Sequence, residues 1–248
     1  MDLDLDGKVF IVSGGTSGLG AAVAAGLVGE GARVVVCSRS SRRVSEAVST
    51  LGERAVGLAA DLLVATTPSR LIERARRSFG RLDGAFVSHG GPDPGPATDL
   101  DDARLRRAME SAVVAPIALI REIVRELPSG GAVVALTSST GVEPMVGMAA
   151  SNVARAAVHG YVKTIATEVA TRGVRVNVLI PGPFATARLQ QLAAEGTAEQ
   201  RGGRHGTPMD RDGNPTELVA AACLLLSSRS SFVTGAAWTV DGGRRRTL

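Results

Sequence analysis

The sequence predicts an α/β fold, a doubly wound parallel sheet of about seven strands with helices on both faces. Three observations point there. Short apolar runs without alternation recur along the chain, as strands buried on both faces require. Stretches of helical periodicity separate them. The first run passes directly into a glycine-rich turn and then a helix, in Lys8-Val9-Phe10-Ile11-Val12-Ser13-Gly14-Gly15-Thr16-Ser17-Gly18-Leu19-Gly20.

The opening run is the first strand, and the helical pattern of residues 21–28 follows it. Gly14, Gly18 and Gly20 allow a tight turn and close approach of backbone to a ligand. The new helix presents unpaired N–H groups and its positive end there, so a pyrophosphate is the natural guest. A second strand spans 32–39, and helical periodicity resumes over 44–51. A third strand, 55–58, ends near Asp61-Leu62, and a helix at 68–79 precedes a fourth strand, 82–88, closed by His89-Gly90-Gly91-Pro92. A long amphipathic stretch at 100–127 is bent by Pro116. The fifth strand, 132–136, runs into Thr137-Ser138-Ser139-Thr140-Gly141, and a long helix spans 148–171. The sixth strand, 174–179, ends at Pro181-Gly182-Pro183. Polar residues and four glycines in 185–211 suit a mobile flap, after which a helix at 216–226 and a strand at 236–240 finish the chain. No linker or repeat interrupts, so residues 1–248 read as one domain with 185–211 as a flap inserted in it. Ligands of such sheets bind beyond the carboxyl ends of the strands at the switch point, where these polar strand ends converge.

Composition sets the class. With 44 % apolar and 21 % charged residues, the 248-residue chain reads as an ordinary soluble globule. No apolar run approaches the ~18 residues a membrane span needs, and the acidic start Met1-Asp2-Leu3-Asp4-Leu5-Asp6-Gly7 is unlike a signal peptide. Cys37 and Cys223 lie in apolar stretches as packed thiols, which favours a cytoplasmic setting and no metal site. The net charge is +4; Lys8 and Lys163 are the only lysines among 28 basic residues, leaving 26 arginines, and these are scattered. With 3 % aromatics, that is an arginine-biased surface rather than a nucleic-acid interface.

The end of the second strand meets the adenosine ribose in a dinucleotide-binding sheet. An acidic residue there would repel a 2′-phosphate. This chain has Ser38-Arg39, with Arg42 and Arg43 one turn on, and a guanidinium fork suits phosphate. NADP(H) is therefore expected over NAD(H), with Arg39 in the main role.

Together these motifs resemble the classical short-chain dehydrogenases/reductases, a Rossmann-type family, over nearly the whole chain. Residues 13–20 look like the family's Thr-Gly-x-x-x-Gly-x-Gly, Asp61-Leu62 like its adenine-contacting pair, and Ser88-His89-Gly90-Gly91 stands where Asn-Asn-Ala-Gly is usual. Gly173-Val174-Arg175-Val176-Asn177 through Pro181-Gly182, Phe232-Val233-Thr234-Gly235 and Val240-Asp241-Gly242-Gly243 match its later signatures. The nearest flavour is that of β-ketoacyl carrier-protein reductases. The resemblance implies cofactor contacts from Gly14, Thr16, Ser17, Gly18, Leu19, Gly20, Ser38, Arg39, Asp61, Leu62, Ser88, Gly90, Arg155, Pro181, Gly182, Phe184 and Thr186. It also implies a homotetramer or homodimer assembled through the helices of 100–127 and 148–171.

The family's chemistry rests on a Ser, a Tyr, a Lys and an Asn. Ser138 fits the Ser, but thirteen residues on stands Ser151 rather than Tyr, and four further stands Arg155 rather than Lys. The Asn position falls at Ser111. Tyr161, the only tyrosine, is ten residues past Ser151, which is ~15 Å along a helix, and Lys163 diverges from it; both read as packing or interface residues. The catalytic set is thus Ser138, Ser151, Arg155 and Ser111, with His89, Glu143, His159 or solvent as the proton source. Three functions follow. The first is an NADP(H)-dependent oxidoreductase acting on a small carbonyl or alcohol through a non-standard site. The second is a catalytically silent NADP(H)-binding protein, such as the inactive partner of an active paralogue in one oligomer. The third is a non-redox enzyme reusing the cleft.

Overall fold

The computed structural model describes residues 2–195 and 206–246. Its elements run β1 (Val9–Ser13), α1 (Gly18–Gly29), β2 (Arg33–Ser38), α2 (Ser41–Leu51), β3 (Ala55–Ala59), α3 (Thr67–Phe79) and β4 (Gly84–Val87). There follow α4 (Asp102–Met109), a π turn (Glu110–Val114), α5 (Ala115–Glu126), β5 (Ala132–Leu136), α6 (Ala149–Val169), β6 (Arg175–Pro181), α7 (Ala187–Glu195), α8 (Pro215–Leu226) and β7 (Ala237–Val240). The strands form one seven-stranded sheet in the order β3-β2-β1-β4-β5-β6-β7, and all six pairings are parallel. This is the doubly wound α/β fold that the alternation of runs predicted.

The missing alternation in β1 has a direct cause. Val9 and Ile11 enter a core with Leu71, Ile123 and Val162, while Phe10 and Val12 enter a second core with Val23, Leu27 and Leu218. Every residue of β1 is buried, so each face needs an apolar side chain. Truncating Ile11, at 0 % exposure, to Ala costs ~2–5 kcal/mol on the usual scale for a packed aliphatic.

Between β1 and β4 the strand order reverses. There Ser13 Oγ donates to the Ser88 carbonyl at 2.8 Å and accepts from the Ser88 N–H at 3.0 Å, clasping the two strand ends that frame the cleft.

Two elements differ from expectation. The bend in the long 100–127 stretch is the π turn at Glu110–Val114 just ahead of Pro116, which stands in the first turn of α5. Proline has no N–H for the Ala112 carbonyl, so the helix widens there. The supposed flap begins with a helix, α7, whose Leu189 and Leu192 are half-buried. Of its four glycines, Gly196, Gly202 and Gly203 lie outside the described residues. Among the described residues, no helix is long and apolar enough to cross a membrane.

Candidate active site

The glycine turn takes the shape its sequence demands. Gly14 and Gly18 have φ of +61° and +53°, and a Cβ on Gly20 would lie 2.3 Å from the Gly14 carbonyl oxygen. Ser17 caps α1 without a side-chain hydrogen bond, which leaves the first N–H groups for an anion. A cavity of about 440 Å³ opens beside the turn. Of the residues expected to hold a cofactor, Gly14, Ser38, Arg39, Asp61, Leu62, Ser88 and Gly90 line it. Arg39 is exposed at its rim, and Asp61 is fixed by the Leu63 N–H at 3.0 Å and by Thr67, which donates to its carbonyl at 2.6 Å. That set forms one trough fit for a phosphorylated adenosine.

Other expected contacts lie off this cavity. Thr16, Ser17, Gly18, Leu19, Gly20, Pro181, Gly182 and Thr186 are not among its lining residues, although Thr186 sits 3.7 Å from the Cβ position of Gly18. Leu19 packs into the second core. Phe184 is 5 % exposed, belongs to that core and presses on Gly213, and it lines a second, smaller cavity with Thr207 and Asp241.

The four catalytic positions do not converge on the cavity. Only Ser111 lines it, and its Oγ donates back to the Arg107 carbonyl at 2.9 Å. Ser138 Oγ accepts from the Thr140 N–H at 3.3 Å. Ser151 is 4 % exposed and its Oγ pairs with Thr140 Oγ1 at 3.0 Å, inside the wall rather than on its surface. An aliphatic hydroxyl so placed is no replacement for a phenol.

Arg155 is 5 % exposed. Its Nη1 donates to His89 Nε2 at 2.8 Å, and its Nε is buried with no partner. Because Nε2 accepts, the ring proton belongs on Nδ1. The Ala112 carbonyl, released by Pro116, favours a protonated ring, but no group meets Nδ1 with hydrogen-bond geometry. Burial and the Arg155 charge prevail and hold His89 well below the usual imidazole range. Burial, helped by nearby Arg188, pulls Arg155 itself down to about 10. His159 is held at about 4 by burial and by Arg155, and its Nε2 lies 2.7 Å from Thr137 Oγ1.

Glu143 meets the backbone N–H of Arg246 at 3.4 Å, and Lys163 Nζ meets the Gly235 carbonyl at 3.4 Å. Tyr161 packs against the first core. Of the candidate acids and bases, only His89 lines the cavity.

Gly91, Pro92 and Asp93 line the cleft, and the stretch they begin is tied down on several sides. Gly95 N–H donates to the Gly147 carbonyl at 2.6 Å, and Ala149 N–H to the Gly95 carbonyl at 3.3 Å. Arg104 Nη2 donates to the Pro94 carbonyl at 3.2 Å, and Arg188 Nη2 to the Pro92 carbonyl at 2.8 Å. Sequence reasoning missed Arg188, which bridges 96 residues of separation from a stretch with no apolar period to mark it.

Comparisons with known proteins follow this geometry. The family model described as Enoyl-(Acyl carrier protein) reductase matches residues 14–245. An uncharacterized oxidoreductase of Mycobacterium tuberculosis is 35 % identical over 96 % of this chain and 92 % of its own. The A-factor type gamma-butyrolactone 1′-reductase (1S-forming) of Streptomyces virginiae is 34 % identical over 96 % of both. Among solved structures, L-sorbose reductase from Gluconobacter frateurii, complexed with NADPH and L-sorbose, superposes with a TM-score of 0.92 at 30 % identity over 100 % of each chain. With the sheet order, the glycine turn and a match spanning 14–245, the chain belongs to the classical short-chain dehydrogenase/reductase family of oxidoreductases.

Proposed function

We propose that the protein binds NADP(H) and acts as an oxidoreductase on a small carbonyl or alcohol. One observation carries the cofactor: Gly14 of the glycine turn, Ser38 and Arg39 border one 440 Å³ cavity, and no acidic side chain stands at the end of β2. The NADPH complex of the similar L-sorbose reductase supports the same choice. Arg39 takes the 2′-phosphate, the α1 N-terminus the pyrophosphate, and Asp61-Leu62 the adenine. When bound, the nicotinamide supplies or accepts the hydride. The chain contributes position and a polarising field: Ser138 is the hydroxyl nearest to the family's pattern, and Arg155 is a fixed cation. No member of the cluster is a general acid at neutral pH, since His89 and His159 are held neutral and Ser151 is an alcohol engaged with Thr140. Water therefore supplies the proton, and turnover is slower by ~10²–10⁴ than with a positioned acid. In this reading residues 1–248 act as one domain, and the described residues of the 185–211 flap border the substrate, 196–205 lying outside the described residues.

The closed pairs Thr140–Ser151 and His89–Arg155 favour a second reading, an NADP(H)-binding protein without turnover. Titration with NADPH and NADH, followed by a carbonyl and alcohol panel monitored for nicotinamide absorbance, separates them. Submillimolar NADPH binding with slow turnover supports the enzyme. Binding without turnover supports the silent protein, and no binding overturns both.

A further inference from the structure

Arg104, Arg107, Ala108 and Ser111 line the cavity at helical spacing, so one face of α4 and of the π turn after it looks in. Three of these residues have no polar group to spare. Arg104 donates to the Asp99 and Pro94 carbonyls, each at 3.2 Å, Ser111 Oγ donates to the Arg107 carbonyl at 2.9 Å, and Ala108 offers only a methyl. Arg107 is different. Its side chain is exposed, and among the described residues no hydrogen bond or ion pair holds it, while its neighbour Arg106 pairs with Asp102 at 3.7 Å.

Because α4 follows β4 and packs against α6, it borders the cavity from one side of the switch point. The ends of β2 and β3 border it from the other, since the sheet runs β3-β2-β1-β4. Leu62 and Leu63 stand on that second wall, and Leu63 is 53 % exposed, an apolar side chain left open beside the place given to the adenine. A purine has two faces to cover. The two leucines offer aliphatic carbon to one, and among the described residues no Phe, Tyr or Trp lines the cavity to meet the other. A guanidinium plane suits that face, because it stacks on aromatic rings, is drawn to their π electrons and is weakly hydrated. We propose that Arg107 closes the adenine site from α4, its guanidinium lying over the base opposite Leu62 and Leu63. The 2′-phosphate stays with Arg39, on the wall across from α4. The inference rests on the NADP(H) reading of this cavity and supplies the side chain that holds the base.

The test titrates the whole chain in a calorimeter with NADPH, NADH and adenosine 2′,5′-bisphosphate. All three ligands carry the adenine, two carry the 2′-phosphate and two carry the nicotinamide. Arg107→Ala should weaken all three by one common factor of about ten, the scale of a base losing its stacking partner. Arg107→Tyr supplies a plane without the charge and should restore most of the affinity. Arg107→Lys supplies the charge without the plane and should restore little. Arg39→Ala should weaken NADPH and the bisphosphate and spare NADH, and its factor should multiply with that of Arg107→Ala. Arg106→Ala, which removes a surface charge paired with Asp102, should leave all three affinities unchanged. Because Arg107 is exposed and unpartnered among the described residues, each of its variants should melt like the parent.

Unchanged affinities in Arg107→Ala overturn the inference. A loss confined to NADPH and the bisphosphate overturns it too, making Arg107 a second phosphate ligand, and a loss confined to NADPH and NADH assigns Arg107 to the nicotinamide half instead. Full restoration by Arg107→Lys but not by Arg107→Tyr reduces the residue to a charge and removes the stacking. Failure of the cofactor reading looks different: the parent chain then binds NADH as tightly as NADPH, and an equal loss of both in Arg107→Ala still upholds the adenine site. A parent chain that binds none of the three overturns both.

Discussion

Two arginines, Arg155 and Arg175, are each 5 % exposed, and they could hardly be less alike. Arg175, at the start of β6, is saturated. Its Nη1 reaches the Leu225 carbonyl at 2.9 Å and Ser230 Oγ at 2.8 Å, and its Nη2 reaches the Ser227 carbonyl at 2.8 Å. These acceptors gather at the negative end of α8, where a cation is welcome. Asn177 completes the joint, donating to the Val233 carbonyl at 2.9 Å and accepting from the Ala236 N–H at 3.0 Å. Arg155 has one acceptor, His89, an idle Nε and another cation beside it. A buried charge surrounded by acceptors holds a fold together. One left short of them is held by the fold for something else.

Removal of each charge makes the contrast measurable. Arg175→Met strands several buried acceptors and should lower unfolding stability by ~3–5 kcal/mol in urea melts. Arg155→Met deletes an uncompensated charge, losing only the His89 contact, and should change stability by ~1 kcal/mol or less. Similar losses in both variants would break the comparison.

A third arginine extends it. Arg39 is exposed, so Arg39→Ala should leave the melt unchanged while weakening NADPH ~10–100-fold and NADH hardly at all, measured by fluorescence titration. The smallest effect concerns the neighbours of Arg155. Folded His159 stays neutral down to about 4, whereas an unfolded imidazole takes its proton near 6.5. Over that window the unfolded chain binds more protons, so stability falls as pH drops. Arg155→Met removes the lesser of the two causes, so the His159 pKa read by NMR should rise towards 6.5 without reaching it, and the acid-side loss should shrink. An unmoved His159 would mean that the Arg155 charge is already neutralised.

Most of the architecture was legible in the chain because a strand buried on both faces writes itself as an unbroken apolar run, as Val9–Ser13 does. The turn at Gly14–Gly20 was legible for the same local reason: its glycines answer to backbone geometry a few residues away. What escaped was non-local. Arg155 was found as a substitution, yet nothing in the sequence says that its Nη1 spends itself on His89, 66 residues distant. Ser151 stands at the proton donor's register, but its pairing with Thr140 depends on how α6 lies against the end of β5. The π turn was read as a proline bend, since both leave the same apolar period and only the released Ala112 carbonyl distinguishes them.

The tied-down stretch beside the cleft has a kinetic consequence. Pro92, which lines the cavity, is tied to Arg188, and Gly95, three residues on, to Gly147 and Ala149. If those bonds cover the place of a dinucleotide's far half, its adenosine docks first and the far half waits until they part. Capture then becomes a two-step event whose observed rate in stopped flow levels off with rising NADPH at the frequency with which the stretch opens. A rate that climbs linearly to high concentration would show that the stretch opens faster than the ligand arrives.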